Sequence, residues 1–405
     1  MSAKWGVRDD RHSQSTSLRQ RFPYSVLNMS TGPVHLSDSV LRAPLDGHIS
    51  SHSNQFWNVH AQVTEMLSQV FRTQQPVLAV HGSIRTGLEL CLRNLIQPDD
   101  TVMVLCNGFW GEYLARNVAE FTPRVVRVES SPYLPFDIER LKVAFGDNAR
   151  PKLVVAVHVE TNTGVVNDVQ AIAAAARSVG ALSFIDTACS VGCMPAPMDD
   201  WGLDVCATGS HKTLGGPPGL ALIALSEAAM EYAREVNACT GGSAMSRLPT
   251  LFERCLQPGT APSYTHSAPL LLGLNAALYE RLTPSLAHWE SYSMSCAAEF
   301  RREVRAAGLS FVTDHVIPPG QEAGKLSTTV MALQLPADVD EARLRARLEQ
   351  QHGIFVIGNV GALAGRSVRI GLMSPVQMDS KNWGATIAAL RESITHCRNT
   401  KEKTA

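Results

Sequence analysis

The segment that says most about the fold is residues 204–220, DVCATGSHKTLGGPPGL. It begins as an apolar strand, passes through a Gly-Ser-His-Lys turn and ends in a loop rich in glycine and proline. Such a loop offers Lys212 little solvent, and burial lowers the pKa of a lysine from about 10.4. A neutral lysine amine can form a Schiff base with an aldehyde. The segment therefore predicts a reactive lysine, although a lysine at a strand end is more often a surface charge.

Continuous apolar runs on both sides of this segment predict strands that are buried on both faces. These runs are residues 76–80, 101–105, 153–159, 181–186 and 220–225. Helical segments lie between many of them, for example residues 88–96 and 169–179. This alternation is the βαβ order of a mostly parallel sheet covered by helices. The predicted fold class is therefore α/β.

The pattern changes near residue 284, where a long amphipathic helix is predicted over residues 285–307. Shorter strands are predicted after it, at residues 329–335, 354–357 and 367–372. We therefore divide the chain into three parts. They are an N-terminal arm (residues 1–26), a large domain (27–284) and a smaller C-terminal α/β domain (285–405).

Composition and charge argue against several classes of protein. With 36 Lys and Arg against 37 Asp and Glu, the net charge is −1, which argues against a nucleic-acid binder with a wide basic face. No apolar run reaches the roughly 18 residues of a membrane span. Nine cysteines without a zinc-type spacing predict mostly buried, reduced thiols, no metal site and a cytoplasmic location.

Asp186 ends the apolar run ALSFID, 26 residues before Lys212. Ligand sites in parallel α/β sheets lie beyond the carboxyl ends of the strands, so this carboxylate is expected in such a site. One group that needs an aspartate is pyridoxal phosphate (PLP), whose protonated ring nitrogen pairs with a carboxylate. The alternative is a helix N-cap or a structural ion pair.

Two further strand ends carry polar or aromatic loops. The loop HGSIRTG, residues 81–87, can bind phosphate through helix N-terminal amides and hydroxyls, but it is neither a P-loop nor G-x-G-x-x-G. The loop NGFWG, residues 107–111, carries Trp110, which can stack on a flat heteroaromatic ring. Taken alone, each is more often an ordinary turn or a packed tryptophan.

Together these segments resemble the class V branch of fold-type I PLP enzymes, specifically the alanine–glyoxylate (serine–pyruvate) aminotransferase group. The resemblance covers residues 29–373. Eight segments carry it in the order of the family: STGP (30–33), HGSIRTGLE (81–89), NGFWG (107–111), HVETNTG (158–164), IDTACSVG (185–192), GSHKTLGGPPG (209–219), SYTHS (263–267) and VRIGL (368–372).

The resemblance implies a role for each residue of a PLP site. Lys212 would hold PLP covalently and act as the base for the 1,3-proton shift. Asp186 would pair with the ring nitrogen, Trp110 would stack on the ring and Asn162 would hydrogen-bond the ring hydroxyl. The phosphate would be bound by Ser83, Ile84, Arg85 and His211. Where Arg85 stands the family often has a small uncharged residue, so this side chain could instead intrude on the substrate.

The resemblance also implies a partner subunit and a substrate site. Tyr264 and Ser267 would reach the phosphate from the neighbouring subunit, which makes the predicted protein a homodimer with shared active sites. Arg369 would bind the substrate carboxylate through its planar fork. Gly32 would let the substrate approach the backbone closely.

The implied activity is transfer of an amino group from a small, alanine- or serine-like amino acid to glyoxylate or pyruvate by ping-pong chemistry. Ureidoglycine–glyoxylate transamination and a PLP lyase or retro-aldol reaction stay open. Pyridoxamine–pyruvate transamination is less favoured, because that enzyme has an acidic residue at Ser83 and an additional arginine near Asn359. Desulfuration is disfavoured because the only cysteine beyond Cys296 is Cys397. A regulator is disfavoured because the arm is too short for a DNA-binding domain.

Overall fold

The computed structural model describes residues 26–46, 49–147, 150–257 and 264–402. Residues 1–25 of the predicted N-terminal arm lie outside these ranges. Within the described residues, no helix is both long enough and apolar enough to cross a bilayer. Eight of the nine cysteines are buried, as predicted, and Cys239 is exposed.

Fifteen strands occur in the described parts of the chain. They are β1 (Leu27–Asn28), β2 (Val77–His81), β3 (Val102–Cys106), β4 (Val125–Glu129), β5 (Leu153–Val157), β6 (Val159–Glu160), β7 (Val165–Val166), β8 (Leu182–Asp186), β9 (Val205–Gly209), β10 (Leu220–Leu225), β11 (Ser310–Phe311), β12 (Val330–Gln334), β13 (Ile354–Phe355), β14 (Ile357–Gly358) and β15 (Ser367–Gly371).

The same ranges contain fourteen α-helices. They are α1 (Asp38–Asp46), α2 (Asn54–Phe71), α3 (Ile84–Leu95), α4 (Phe109–Val118), α5 (Ile138–Asp147), α6 (Val169–Ser178), α7 (Met198–Trp201), α8 (Glu227–Thr240), α9 (Leu248–Cys255), α10 (Ala268–Leu282), α11 (Leu286–Ala306), α12 (Glu341–His352), α13 (Pro375–Met378) and α14 (Ser380–Glu402).

A seven-stranded sheet in the order β2-β10-β9-β8-β5-β3-β4 forms the centre of the larger part of the chain. The strands from β9 to β4 run parallel, whereas β10 is antiparallel to both of its neighbours. The predicted α/β class with a mostly parallel sheet is therefore confirmed. Strand β4 was not predicted from the sequence, because Arg127 and Glu129 interrupt its apolar run.

The central strands are buried on both faces because alternate residues point to opposite sides of the sheet. Met103 and Leu105 belong to one apolar cluster, which the helices α2 and α10 cover. Val102 and Val104 belong to a second cluster, which α3 and α8 cover. Two apolar layers therefore hold the sheet rigidly between helices.

The reversal of β10 determines which strand ends meet. Because β2 and β9 are both antiparallel to β10, they run in the same direction as each other and as β8, β5 and β3. Because β4 is parallel to β3, the carboxyl ends of six strands therefore lie along one edge. His81 ends β2, Asp186 ends β8 and Gly209 ends β9 at this edge.

The C-terminal part contains a four-stranded antiparallel sheet in the order β11-β12-β15-β14, packed against α11, α12 and α14. The single strand predicted over residues 354–357 is two short strands in different sheets. Strand β14 pairs with β15, whereas β13 pairs in parallel with β1. Leu27–Asn28, which we assigned to the large domain, thus pair with the C-terminal segment. The domain boundary at residue 284 stays a prediction.

The two-sided burial of the sheet predicts a high cost for removing a large side chain from it. Phe184 on β8 is fully buried in the second cluster. We expect Phe184→Ala to lower the free energy of unfolding by about 3–5 kcal/mol, because it removes buried surface and leaves a cavity. Urea unfolding measures the loss, and Val143→Ala at an exposed position is the control, with an expected change within about 0.5 kcal/mol. A loss below about 1 kcal/mol at Phe184 would contradict this description of the core.

Candidate active site

Lys212 lies in a tight turn just beyond the carboxyl end of β9. The turn is closed by backbone hydrogen bonds from Gly216 N to Ser210 O (2.7 Å) and from Gly215 N to Lys212 O (2.9 Å). Gly215 has a φ of +74°, in the left-handed region that favours glycine. The glycines and prolines of this segment therefore shape a compact loop that presents the lysine at the sheet edge.

The Lys212 side chain lies against the segment Ser30–Pro33. Its Nζ atom donates a hydrogen bond of 2.8 Å to the carbonyl oxygen of Thr31. A Cβ atom on Gly32 would lie 2.5–2.8 Å from Cδ, Cε and Nζ of Lys212, and Gly32 has a φ of +119°. Only glycine fits between this backbone and the amine, and the structure brings Gly32 and Lys212 together.

Asp186 is a buried carboxylate, 8% exposed, at the end of β8. Its Oδ1 atom accepts a hydrogen bond of 2.9 Å from the backbone N–H of Ala188. Burial raises the pKa of Asp186 to about 6, although this N–H and the positive charge of Lys212 both lower it. The carboxylate is thus poorly solvated, and a cationic ligand beside it would stabilise its ionised form.

Arg369 enters the same region from β15 and is only 5% exposed. Its Nε and Nη2 atoms donate to the carbonyl oxygen of Gly358 at 3.1 and 2.9 Å. Burial lowers the pKa of Arg369, and the nearby Cys189 and Glu160 raise it. A guanidinium held by a neutral carbonyl keeps donors that a substrate carboxylate can use.

Three predicted cofactor residues carry buried polar atoms without a hydrogen-bond partner in the described residues. These atoms are Trp110 Nε1, Asn162 Oδ1 and His211 Nδ1. The amide of Asn162 donates to the Val360 carbonyl at 2.9 Å, which leaves its oxygen as the available atom. Burial, with a smaller contribution from Lys212, lowers the pKa of His211 to about 4. Because buried polar atoms are normally paired, this set fits a polar ligand.

The predicted phosphate loop lies at the amino end of α3. This helix begins at Ile84, four residues earlier than the predicted start at residue 88. The prediction was wrong because Gly87 resembles a turn residue, yet a Cβ there would lie 2.8 Å from the Cβ of Ala221. Gly87 instead permits close packing of helix on sheet. Ser83 occupies the N-cap position and makes no side-chain cap bond, so first-turn N–H groups are available to an anion.

The Arg85 guanidinium lies over aromatic rings of α4. Its Cζ atom is 5.5 Å from the ring centre of Trp110 and 5.2 Å from that of Tyr113. Such cation–π contacts join α3 to α4. The structure therefore places Arg85 next to the predicted stacking residue, while its role toward phosphate stays a prediction.

Tyr264 and Ser267 lie at the amino end of α10, beside His81 of their own chain. The Tyr264 hydroxyl donates to the Ala79 carbonyl at 3.1 Å. The backbone N–H of Ser267 donates to Nε2 of His81 at 3.1 Å, and burial lowers the pKa of His81. These contacts tie the segment to the end of β2 and to the predicted phosphate loop.

Two further residues of this region were not predicted from the sequence. Glu160, fully buried, accepts hydrogen bonds from the backbone N–H groups of Trp110 (3.0 Å) and Asn162 (3.1 Å). Cys189 is buried with its Sγ atom 3.4 Å from the Thr161 hydroxyl, and burial raises the pKa of its thiol. The positive charges of Lys212 and Arg369 both act to lower the pKa of this thiol, against the larger effect of burial. The available signals were a carboxylate closely following strand 153–159 and a cysteine three residues after Asp186.

The family model for class-V aminotransferases matches residues 42–396 of the sequence. This chain belongs to the class-V aminotransferase family. Class-V aminotransferases are PLP-dependent, and the relatives named as aminotransferases support a transaminase activity for this chain. The recognition made from the eight sequence segments is thus confirmed, and the chain is an aminotransferase of the alanine–glyoxylate group.

Similar proteins differ in the substrates that they are named for. The alanine–glyoxylate aminotransferase of Callithrix jacchus is 26% identical over 93% of this chain and 89% of its own length. The pyridoxamine–pyruvate transaminase of Mesorhizobium japonicum is 27% identical over 86% of this chain and 87% of its own. The crystal structure of an alanine–glyoxylate aminotransferase from a Nostoc species has a TM-score of 0.86 at 23% identity, covering 96% of this chain and 100% of its own. The last comparison shows the fold-type I architecture.

The desolvation of Asp186 predicts an effect of pH on the stability of the cofactor-free protein. Its folded-state pKa of about 6 is above the ordinary 3.8, so the ionised carboxylate destabilises the folded state. The penalty is absent below about pH 4 and complete above about pH 6. We expect cofactor-free Asp186→Asn to be more stable than the wild type by roughly 1–3 kcal/mol at about pH 8, a gain that vanishes toward about pH 4.

Urea unfolding of both proteins at about pH 4 and about pH 8 measures this difference. Asp99→Asn, at a position whose side chain is 92% exposed, is the matched control and should show no gain that depends on pH. An equal effect of Asp186→Asn at both pH values would contradict the desolvation argument.

Proposed function

We propose that this chain transfers an amino group from a small, alanine- or serine-like amino acid to glyoxylate or pyruvate by ping-pong chemistry, with PLP carried on Lys212. The observation that carries the proposal is the surroundings of the Lys212 amine. It lies against Gly32, where no side chain fits, and its positive charge lowers the pKa of the buried carboxyl group of Asp186. The arrangement supplies a cofactor anchor and a partner for a cationic ring in one place.

The residues of the site fit PLP. Asp186 would pair with the ring nitrogen, Trp110 would stack on the ring and Asn162 would bind the ring hydroxyl. The phosphate would be held at the amino end of α3 by Ser83, Ile84, Arg85 and His211. Bound PLP supplies an electron sink that stabilises negative charge at the Cα atom of the amino acid. The unpaired buried atoms of Trp110, Asn162 and His211 support this assignment.

The chain's own residues would then orient the substrate and move a proton. Arg369 would bind the substrate carboxylate through its planar fork, and Gly32 would let the substrate pass close to the backbone. The Nζ atom of Lys212 would take the proton from Cα of the amino donor and return it for the 1,3-shift. Because Lys212 is half-buried and Arg369 almost fully buried, little water competes for either group.

We also propose a homodimer in which Tyr264 and Ser267 contribute to the phosphate site of the neighbouring subunit. Three large apolar side chains on the α1–α10 pair support a protein contact there: Leu41, Leu45 and Tyr279 are 52%, 82% and 67% exposed. The cytoplasmic location stays a prediction.

Absorption spectroscopy of the purified protein tests the proposed activity. We expect a visible band from protein-bound PLP that converts to the pyridoxamine form when alanine or serine is added and returns with glyoxylate or pyruvate. Lys212→Ala should lack any borohydride-reducible link to PLP. A band that converts only with ureidoglycine or with free pyridoxamine would replace our choice of substrates. Absence of PLP binding would refute the whole proposal.

Arg369→Lys tests the assignment of the carboxylate site. Lysine keeps the positive charge and loses the planar fork, so we expect kcat/KM for alanine to fall about 10- to 100-fold. PLP binding should be retained. Arg366→Lys, near the same strand and exposed, is the control and should leave kcat/KM unchanged. Wild-type kinetics for Arg369→Lys would show that another group binds the carboxylate.

Light scattering of the purified protein tests the homodimer. We expect twice the chain mass of 43.8 kDa, and partial dissociation of Leu45→Glu, because a charge would replace an exposed apolar contact. A monomer that still binds PLP would contradict the shared active site and leave the chemistry intact.

A further inference from the structure

The helix α4, which begins with Phe109 and Trp110, does not cap its own amino end. The first N–H groups of an α-helix have no partner within the helix and are usually satisfied by a polar side chain at the N-cap position. Here that position is Gly108, which has no side chain to accept them. The cap of α4 must therefore come from elsewhere in the fold.

Glu160 supplies that cap from another part of the sheet edge, 50 residues from Trp110 in the chain. Its Oε2 atom accepts the N–H of Trp110 at 3.0 Å, and the N–H of Gly111 also donates to this carboxylate. Its Oε1 atom accepts the N–H of Asn162 at 3.1 Å. One carboxylate thus holds the first turn of α4 and the loop that carries Asn162.

The residue type at position 108 follows from the same contact. A Cβ atom on Gly108 would lie 2.5 Å from Cγ, Cδ and Oε2 of Glu160. The Gly108 backbone is extended, so the constraint comes from the carboxylate and not from backbone strain. The segments NGFWG and HVETNTG therefore contact each other through Gly108 and Glu160.

Burial has the largest effect on the pKa of Glu160, which is 0% exposed, and two features of its surroundings oppose that effect. The amino end of a helix carries a partial positive charge, and the cation of Arg369 is near enough to lower the pKa of Glu160. Burial opposes both effects and raises this pKa to about 7. Three N–H donors thus satisfy a group that would otherwise be costly to bury.

We propose that Glu160 is a positioning residue that fixes the Trp110 indole and the Asn162 amide relative to each other, so that together they orient the cofactor ring. The inference rests on the proposed function, because those two residues are the ring contacts assigned there. A cap that served stability alone would need only the helix N–H groups. Glu160 also holds the backbone of Asn162 through its other carboxylate oxygen.

The test compares Glu160→Gln with Gly108→Ala in the purified, cofactor-free and reloaded protein. Glutamine has the shape of glutamate but turns one acceptor into an N–H₂ donor that faces backbone N–H groups. The methyl group that Gly108→Ala introduces would push the unaltered carboxylate out of place. The readouts are the dissociation constant for PLP, the visible circular dichroism of bound PLP, and kcat and KM for the amino donor. Glu112→Gln, which removes a partly exposed carboxylate from the same helix turn, is the matched control.

We expect both variants to keep the wild-type far-ultraviolet spectrum, to bind PLP roughly 10-fold or more weakly, and to lose much of the visible circular dichroism, because a charged hydrogen bond is lost. Glu112→Gln should match the wild type. Wild-type affinity and dichroism in either Glu160→Gln or Gly108→Ala would overturn the proposal. Loss of the folded state in both would also overturn it, because Glu160 would then act on stability alone.

A wild-type protein that binds no PLP would refute the proposed function and this inference together. If the wild type binds PLP and the variants bind it with the same affinity and dichroism, the inference alone would be refuted.

A third comparison adds Gly108→Ala to Glu160→Ala. Because truncation at position 160 removes the atoms that the new methyl would meet, the double variant should bind PLP no more weakly than Glu160→Ala alone. Additional weakening in the double variant would contradict the contact between the two positions.

Discussion

The site depends on one constraint: the segment Met29–Gly32 is packed between the Lys212 side chain and strand β15. On one side Lys212 Nζ binds the Thr31 carbonyl and leaves room only for glycine at position 32. On the other side the N–H of Gly371 binds the Met29 carbonyl at 2.7 Å, and a side chain at Gly371 would overlap the backbone of Ser30. The segment therefore fixes the turn after β9 against strand β15, which carries Arg369.

Buried charge is the second organising feature of this region. Asp186, Glu160 and Arg369 are each at most 8% exposed, and each is held partly by backbone groups. Burial shifts the pKa of all three toward the neutral form. Such a site is costly for the empty protein, and a ligand with a cationic ring and a carboxylate offsets that cost. The same groups that weaken the fold locally are therefore those with which the proposed reaction would work.

Membership of the class-V aminotransferase family accounts for the architecture that this chain shares with its relatives. It does not identify the amino donor and acceptor, which depend on the side chains around the site. Relatives of nearly equal identity are named for alanine with glyoxylate and for pyridoxamine with pyruvate. In this chain the Arg85 guanidinium lies on Trp110 and Tyr113, and Cys189 lies within reach of the charges of Lys212 and Arg369.

The sequence by itself determined the parallel sheet, the residue types at its carboxyl edge and the family, because apolar runs and ordered motifs are local properties of the chain. Only the tertiary structure revealed the reversal of β10, the pairing of β1 with β13, and the start of α3 at Ile84. It alone joined Glu160 to Gly108 and Trp110. These features depend on contacts between residues far apart in the chain, and neither periodicity nor motif spacing encodes which distant backbone a buried carboxylate will meet.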